Sequence, residues 1–481
     1  MQEDAGAKHI AADKISKARE KAVKLVYEVT EQGAYANLAL MKTLRHSELN
    51  LADRSLLTNL VNGTIRMLKH LDWVLNVFLK QDINKQNPWL RSILRVSAYQ
   101  IMFMDRIPHF ACVNDAVEMS RKQCNTNLAK VTNGVLRNLI RHKEDIKYPP
   151  PGSPEFLAVY NSHPKELVDN LLNIYGTEQC EKILAYNNQP ARVDFRVNTL
   201  KTMREELIQE LQQDGVKCHA SPQLPWCIRI EAIKSPLEDL PAYKEGRFYV
   251  QNEAAMLAAI ILDPIPGKKV LDLCCGVGGK TTHLAENMKN RGLIKAYDSY
   301  ARKVNILKAN CTRLGIKIVD AITKDIILLE EDEPAGWVML DAPCSGTGVL
   351  NRRSDARWNK DITAIKQLTS LQLQFLQKAG SLLDDGGYLL YSTCSILPDE
   401  NEEVVQAFID NNPFKLVGFE QKLTFFPLDT GDKENARQGM LTLLPGKYDT
   451  DGMFFALMQK VRCEQRATMG DHGDRPRGYK K

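Results

Sequence analysis

The sequence lacks any apolar run able to cross a membrane. A span needs about 18 consecutive apolar residues, and the stretch from Ala254 to Leu262 stops at nine. The first four residues, Met-Gln-Glu-Asp, carry acids where a signal peptide carries bases, and no apolar segment follows them. No Cys-x-x-Cys pair occurs among the eleven cysteines, and the nine histidines form neither His-x3-His nor His-Glu-x-x-His. Cys274 and Cys275 are adjacent, but vicinal thiols cannot close a tetrahedral metal site without two further ligands. No metal is therefore expected. An odd number of cysteines in a long chain reads as free thiols in a reducing compartment. Together these absences lead to the expectation of a soluble, cytoplasmic protein, monomeric and without a membrane partner.

The sequence that remains is ordinary for a globular chain. Hydrophobic residues make up 44% and charged residues 26%, which excludes disorder, collagen or a disulfide scaffold as the overall class. At roughly 150 residues per domain, 481 residues allow about three. Charge is uneven. Residues 1 to 145 hold 22 Lys+Arg against 15 Asp+Glu, a surplus of seven, while the remaining residues hold 42 against 44. Such a basic third fits either a polyanion partner or a well-solvated helical domain, and charge alone does not choose.

Periodicity divides the chain. Leu56, Leu57, Leu60, Val61, Ile65 and Leu68 recur at helical spacing behind Asp53, which is expected as the amino cap. Leu90, Ile93, Leu94, Ile101 and Met102 repeat the pattern up to Pro108. Val113, Ala116, Val117 and Met119 belong to a further helix, and Val131, Val135, Leu136 and Ile140 to the last. An all-α bundle of six or seven helices is expected over 1–147. Four prolines and a glycine between 149 and 154 mark a linker over 148–162. Residues 163–250 mix strand-like Val193–Val197 and Cys227–Ile230 with a helical Arg204–Gln213, a small α+β domain. From 251 to 462 strands and helices alternate, beginning with Val270–Leu273, Leu293–Tyr297, Trp337–Leu340 and Tyr388–Tyr391. This is the pattern of a mostly parallel α/β sheet. The polar, Gly-containing tail over 463–481 is expected to be disordered.

The chemistry lies in the α/β region. Leu271-Asp272-Leu273-Cys274-Cys275-Gly276-Val277-Gly278-Gly279-Lys280-Thr281-Thr282 reads as strand, glycine-rich turn and helix start, where a ligand approaches the backbone beside a helix amino end. A phosphate-binding P-loop needs glycine where Cys274 stands, and a dinucleotide turn needs glycine where Thr281 stands. An S-adenosylmethionine turn and an ordinary βα turn both remain open. Asp298 ends the second strand, 22 residues after Gly276, where its two oxygens can accept from both ribose hydroxyls of an adenosine ligand. Asp325 follows the third strand and could accept from an adenine amine. Asp341-Ala342-Pro343-Cys344-Ser345-Gly346-Thr347-Gly348 follows another strand, and Tyr391-Ser392-Thr393-Cys394-Ser395 ends one more. Strand carboxyl ends share one edge of such a sheet, so two cysteines and an aspartate are expected to face the pocket of the glycine turn.

These segments resemble the RNA cytosine-C5 methyltransferases, in particular the bacterial Fmu/Sun, RsmB-like type that acts on 16S rRNA. The match spans nearly the whole chain. Asp53-Arg54-Ser55-Leu56-Leu57, Val113-Asn114-Asp115-Ala116-Val117-Glu118 and Asn133-Gly134-Val135-Leu136-Arg137 are similar to the family's NusB-like domain. Arg196-Val197-Asn198-Thr199-Leu200-Lys201 matches its small domain. The resemblance implies a Rossmann-like class I methyltransferase domain, S-adenosyl-L-methionine as cofactor and RNA, 16S rRNA first, as partner. It makes Cys394 the nucleophile, Cys344 the helper of product release and Asp341 the acid at ring nitrogen N3. Cys274, Cys275, Gly276, Val277, Gly278, Gly279, Lys280, Asp298, Asp325 and Asp341 match the cofactor contacts.

Two departures stand out. The family turn usually reads Ala-Pro-Gly-Gly, where this chain has Gly276-Val277-Gly278-Gly279, a loss of rigidity on the scale of about 0.4–1 kcal/mol. The family's Arg-Arg-x-Pro-Asp-x-Arg-Trp becomes Asn351-Arg352-Arg353-Ser354-Asp355-Ala356-Arg357-Trp358, which bears on the RNA contact rather than the reaction. The alternatives are the same chemistry on tRNA or another rRNA site, or a non-catalytic RNA-binding assembly factor. A NAD-dependent oxidoreductase lacks the third glycine and explains neither cysteine.

Overall fold

The computed structural model describes residues 15–331, 333–358 and 362–462. The expected disordered tail and the acidic first residues lie outside that range. The chain divides into two compact units. One holds the residues up to Gln189 together with Leu350–Asn359, and the other Pro190–Val349 with the chain from Lys360 onward. No helix among the described residues is long and apolar enough to cross a membrane.

The first unit is helical: α1 (Lys17–Gln32), α2 (Ala36–Arg45), α3 (Leu51–Arg66), α4 (Leu68–Phe78), α5 (Pro88–Phe103), α6 (His109–Gln123), α7 (Thr126–His142), α8 (Pro154–Tyr160) and α9 (Lys165–Asn187). The apolar stripe of α3 puts Leu57, Leu60, Val61 and Ile65 into the core, all fully buried. Its amino cap is Asn50, not Asp53. The Asn50 side chain accepts from the Asp53 backbone N–H at 2.9 Å, leaving Asp53 in the first turn, where its charge suits the helix dipole. Leu68 opens α4 rather than ending α3, because the chain turns at Met67 (φ −98°, ψ 18°).

The expected linker over 148–162 contains α8. Pro154 sits at its first turn and Ser153 caps it, accepting from the Phe156 N–H at 3.1 Å. Prolines read as linker punctuation thus include a helix starter. Residues 163–189, expected within the α+β region, contribute α9 to this helical unit.

The second unit carries two sheets. The smaller is antiparallel in the order β2-β3-β1-β4, from β1 (Val193–Val197), β2 (Lys217–Ala220), β3 (Cys227–Ala232) and β4 (Phe248–Val250), with α10 (Arg204–Gln213) and α11 (Pro241–Lys244). Phe195 and Phe248 stack across it in a small apolar core. After α12 (Glu253–Leu262) the larger sheet runs β10-β12-β9-β8-β5-β6-β7, with β11 on β12. Its strands are β5 (Lys269–Leu273), β6 (Leu293–Asp298), β7 (Val319–Thr323), β8 (Ala335–Asp341), β9 (Leu383–Thr393), β10 (Phe414–Leu416), β11 (Met440–Leu443) and β12 (Met453–Lys460). The strands β7, β6, β5, β8 and β9 are parallel, and β12 lies antiparallel against β9. Helices α13 (Gly279–Asn287), α14 (Ala301–Leu314), α15 (Ile362–Ser381), α16 (Glu402–Asn411) and α17 (Thr430–Arg437) complete the unit. Strand order reverses direction at β5, so the crevice beyond the carboxyl ends of β5 and β8 is the place where such a sheet binds ligands.

Candidate active site

The glycine turn leaves β5 at that crevice. Cys274 adopts a left-handed φ of 66°, a strained state for a residue with a Cβ, of order 1–3 kcal/mol, and one that concentrates at functional sites. Gly278 (φ 92°) has no room for a side chain, since a Cβ there would lie 2.2 Å from Leu307 Cδ1. At Gly276 (φ 58°) a Cβ would meet nothing within 4 Å, so the turn borders open space. The Cys275 N–H donates to Tyr297 O at 2.8 Å. Its side chain packs into the apolar core, and its carbonyl accepts from the Gly278 N–H at 3.0 Å. Burial pushes the thiols of Cys274 and Cys275 up, and nearby aspartates add to it. Val277 is exposed and its carbonyl accepts from Asn310 at 3.0 Å.

The strand-end acids separate in character. Asp298, nearly buried, accepts from the Gly276 N–H at 3.1 Å and the Tyr300 N–H at 2.9 Å and pairs with Lys303 at 3.3 Å, tying the turn to β6. Asp325 is exposed and accepts from the Ile327 N–H at 3.0 Å, capping a short 3₁₀ turn after β7. Asp341 pairs with Lys280 at 2.5 Å and accepts from Ser392 Oγ at 3.0 Å. Lys280 therefore joins the first turn of α13 to the loop after β8.

Cys344 and Cys394 meet. Their Sγ atoms lie 3.1 Å apart, although 50 residues separate them, and the Cys394 N–H points at Cys344 Sγ at 3.2 Å. Adjacent parallel strands deliver them: β8 and β9 run in register from Trp337↔Tyr388 to Asp341↔Ser392. Both are half-buried. The Cys344 thiol is held well above its usual range, first by its hydrogen bond with Cys394 and then by burial.

Several residues at this site were not singled out from the sequence. Asp272 is fully buried on β5, accepts from Thr281 Oγ1 at 2.5 Å, and has a second oxygen with no hydrogen-bond partner among the described residues. Burial pushes its carboxyl up to about 7. Arg196 on β1 is also fully buried. It donates to Glu286, to Thr282 Oγ1 at 2.8 Å, to Gln251 and to the Gly279 carbonyl at 2.6 Å, bracing the helix start beneath the turn. Glu400, Asn401 and Gln372 form a buried polar cluster behind the cysteines. The one hint was position: Glu400 lies six residues after Cys394, within an acidic run that reads as a solvated helix start.

Asp355, Arg357 and Trp358 are elsewhere, built into the helical unit. Arg357 is almost wholly buried and donates to the carbonyls of Arg66, Ser162 and Asn187 and to Asn188 Oδ1, at 2.8 to 3.3 Å. Burial pushes its guanidinium down to about 9. Trp358 Nε1 donates to Ile65 O at 2.7 Å, and Asp355 accepts from the Ala36 N–H at 3.3 Å. This constellation packs the unit. Among the described residues, Asp194, Cys227 and Glu253 also bring three metal-capable atoms together. Arg192 and Arg229 already pair with those carboxylates at 2.7 to 3.0 Å, so the charge is met within the protein.

Comparison with known proteins gives the family. The family model "16S rRNA methyltransferase RsmB/F" matches residues 259–459, the NusB family 16–141, and an RsmF/B-like ferredoxin-like domain 163–235. The chain is 33% identical over 455 residues to a probable ribosomal RNA small subunit methyltransferase B of Bacillus subtilis, covering 92% of this chain and 98% of that protein. It is 31% identical to ribosomal RNA small subunit methyltransferase B of Salmonella agona, with the same coverage. Among solved structures, a protein designated PH0851 superposes with a TM-score of 0.76 at 30% identity, covering 92% of this chain and 99% of that one. NSun6 from Pyrococcus horikoshii, solved with SFG, has a TM-score of 0.56 at 25% identity, covering 62% and 98%.

Proposed function

The chain belongs to the RsmB/F family of 16S rRNA methyltransferases, and we propose that it methylates carbon 5 of a cytosine in that RNA through a covalent adduct on Cys394. The observation that carries this reading is the meeting of Cys344 and Cys394 at 3.1 Å beside Asp341.

The crevice suits S-adenosylmethionine, which supplies an electrophilic methyl group when bound. Gly276 borders open space, and Asp272, on the strand that leads into the turn, keeps a buried oxygen without a hydrogen-bond partner among the described residues. The turn from Gly276 to Lys280 would hold the methionine part, Asp298 the ribose hydroxyls and Asp325 the adenine amine. SFG, an S-adenosylmethionine analogue, accompanies the NSun6 structure, which supports the same choice.

Carbon 5 of cytosine is too weak a nucleophile to take a methyl group unaided. Addition of the Cys394 thiolate at carbon 6 forms a C–S bond and pushes electron density to carbon 5. Cys394 attacks as the thiolate, its proton passing to solvent. Asp341, fixed by Lys280 and Ser392, contacts N3 and stabilises the adduct. After transfer, Cys344 as a thiolate takes the carbon 5 proton, the C–H electrons restore the C5=C6 double bond and the C–S bond breaks, returning the Cys394 thiolate. The base must leave its stack to reach the thiol. The helical unit, with its surplus of basic residues, positions the RNA through phosphates.

Bisulfite sequencing of unmodified 16S rRNA incubated with the protein and S-adenosylmethionine tests the reading. One protected cytosine is expected. Methyl groups entering the RNA with no protected cytosine would overturn it.

A further inference from the structure

The two cysteine loops share one buried anchor. Glu400 is 0% exposed, in the short 3₁₀ turn Pro398–Glu400. Its Oε1 accepts from the Ser345 N–H at 2.7 Å and from Gln372 Nε2 at 3.1 Å. Its Oε2 accepts from Ser345 Oγ and from Ser395 Oγ at 2.5 Å. Ser345 follows Cys344 and Ser395 follows Cys394, so one carboxylate grips the residue next to each thiol. Gln372 also donates to Pro343 O at 2.9 Å, just before Cys344.

Burying a carboxylate among neutral donors is expensive unless each oxygen is satisfied. Here each oxygen has two donors, and no lysine or arginine is among them. Such a full set fixes direction as well as distance. The backbone around the anchor is fixed in turn: Tyr391 Oη donates to Glu400 O at 2.7 Å, and Asn401 bridges Thr393 Oγ1 at 2.6 Å and Ser395 O at 3.0 Å. Further links join the loops directly: the Gly348 N–H donates to Cys394 O at 2.9 Å, the Ile396 N–H to Thr347 Oγ1 at 3.0 Å, and the Ser345 and Ser395 hydroxyls lie 3.2 Å apart.

We infer that Glu400 is the positioning residue that sets the Cys344–Cys394 separation, holding both thiols at one cytosine ring without touching it. The inference about catalysis rests on the cysteine chemistry proposed above. The geometric part does not, and it is tested separately. Phenylarsine oxide binds two thiols only when they lie close together, and Cys344→Ser defines the portion of its binding that belongs to this pair.

In the full chain, Glu400→Gln keeps an oxygen for the Ser345 N–H and can donate to the two hydroxyls. Glu400→Ala loses all four bonds. Arsenical affinity of the pair should fall about tenfold or more in Glu400→Ala, with Glu400→Gln between it and wild type. The kcat should fall in the same order, with S-adenosylmethionine affinity within about twofold of wild type. If Glu400→Ala does not fold, Glu400→Gln and Ser395→Ala carry the same comparison. Unchanged arsenical affinity in the folded variants would overturn the positioning role. Lowered arsenical affinity with turnover indifferent to Cys394→Ser would uphold the anchor and remove the proposed chemistry.

Discussion

The cofactor turn and the cysteine loops are braced by opposite charges. Arg196, wholly buried, reaches from the small sheet to the Gly279 carbonyl and the first residues of α13. Glu400, wholly buried, gathers donors from the two cysteine loops. A guanidinium suits the first task because a helix start folded back on a strand presents carbonyl and carboxylate oxygens to a five-donor fork. A carboxylate suits the second because the loops offer N–H and O–H groups. The difference teaches that the glycine turn and the thiol geometry have separate supports, so substitutions should separate them too.

The largest effect belongs to the thiols. Cys394→Ser replaces a thiolate with an alcohol that hardly ionises near neutral pH, so methyl transfer should fall to background while S-adenosylmethionine still binds. Loss of cofactor binding in a folded Cys394→Ser protein would break the separation.

Arg357→Ala sharpens the comparison from outside, because this third buried charge braces the helical unit. Removing it strands three carbonyls and should cost about 2–5 kcal/mol in denaturant unfolding. Weakened RNA binding with unchanged stability would restore it to an RNA contact.

On the cofactor side, Asp298→Ala should weaken S-adenosylmethionine by about 1.5–3 kcal/mol, measured calorimetrically. Arg196→Met should weaken it in the same direction and leave the arsenical affinity of the cysteine pair within about twofold. A drop in arsenical affinity with Arg196→Met would mean that the two supports are one.

The last effect is a pH slope. Asp272 titrates near 7 in the folded protein, against about 3.9 for an unfolded aspartate. Between those values the folded state keeps a proton that the unfolded chain has released, so this group's contribution to stability falls as pH rises through the window. Asp272→Asn removes the titration. Wild type should therefore lose stability relative to the mutant between about pH 4 and 7, by up to about 4 kcal/mol in urea unfolding. Parallel pH profiles would contradict the burial of an ionisable group there.

The sequence carried the architecture wherever its signal was local. Helical stripes located α3 and α5, and short apolar runs located β5, β6, β8 and β9. Asp341, Cys344 and Cys394 were legible because strand-end turns of small residues made them conspicuous, and the sheet then brought them together. Asn50 was missed as a cap because Asp53 stood nearer the apolar stripe, and α8 because prolines mark helix starts as well as linkers. Glu400 and Arg196 were not legible as supports. Their partners lie up to 55 and 90 residues away in sequence, and nothing in an acidic run or an alternating strand announces a buried charge. Arg357 and Trp358 show the converse: the segment expected to bear on the RNA contact places both side chains on backbone carbonyls of the helical unit.

The central claim is that two thiols at one site do different work, and trapping on a denaturing gel tests it most directly. Cys344→Ser should attack and methylate yet release poorly, accumulating a slowly migrating covalent protein–RNA band. Cys394→Ser should give none, and the Cys344→Ser, Cys394→Ser double variant should lose the band. A band formed by Cys394→Ser and absent from Cys344→Ser would reverse the assignment and contradict the account.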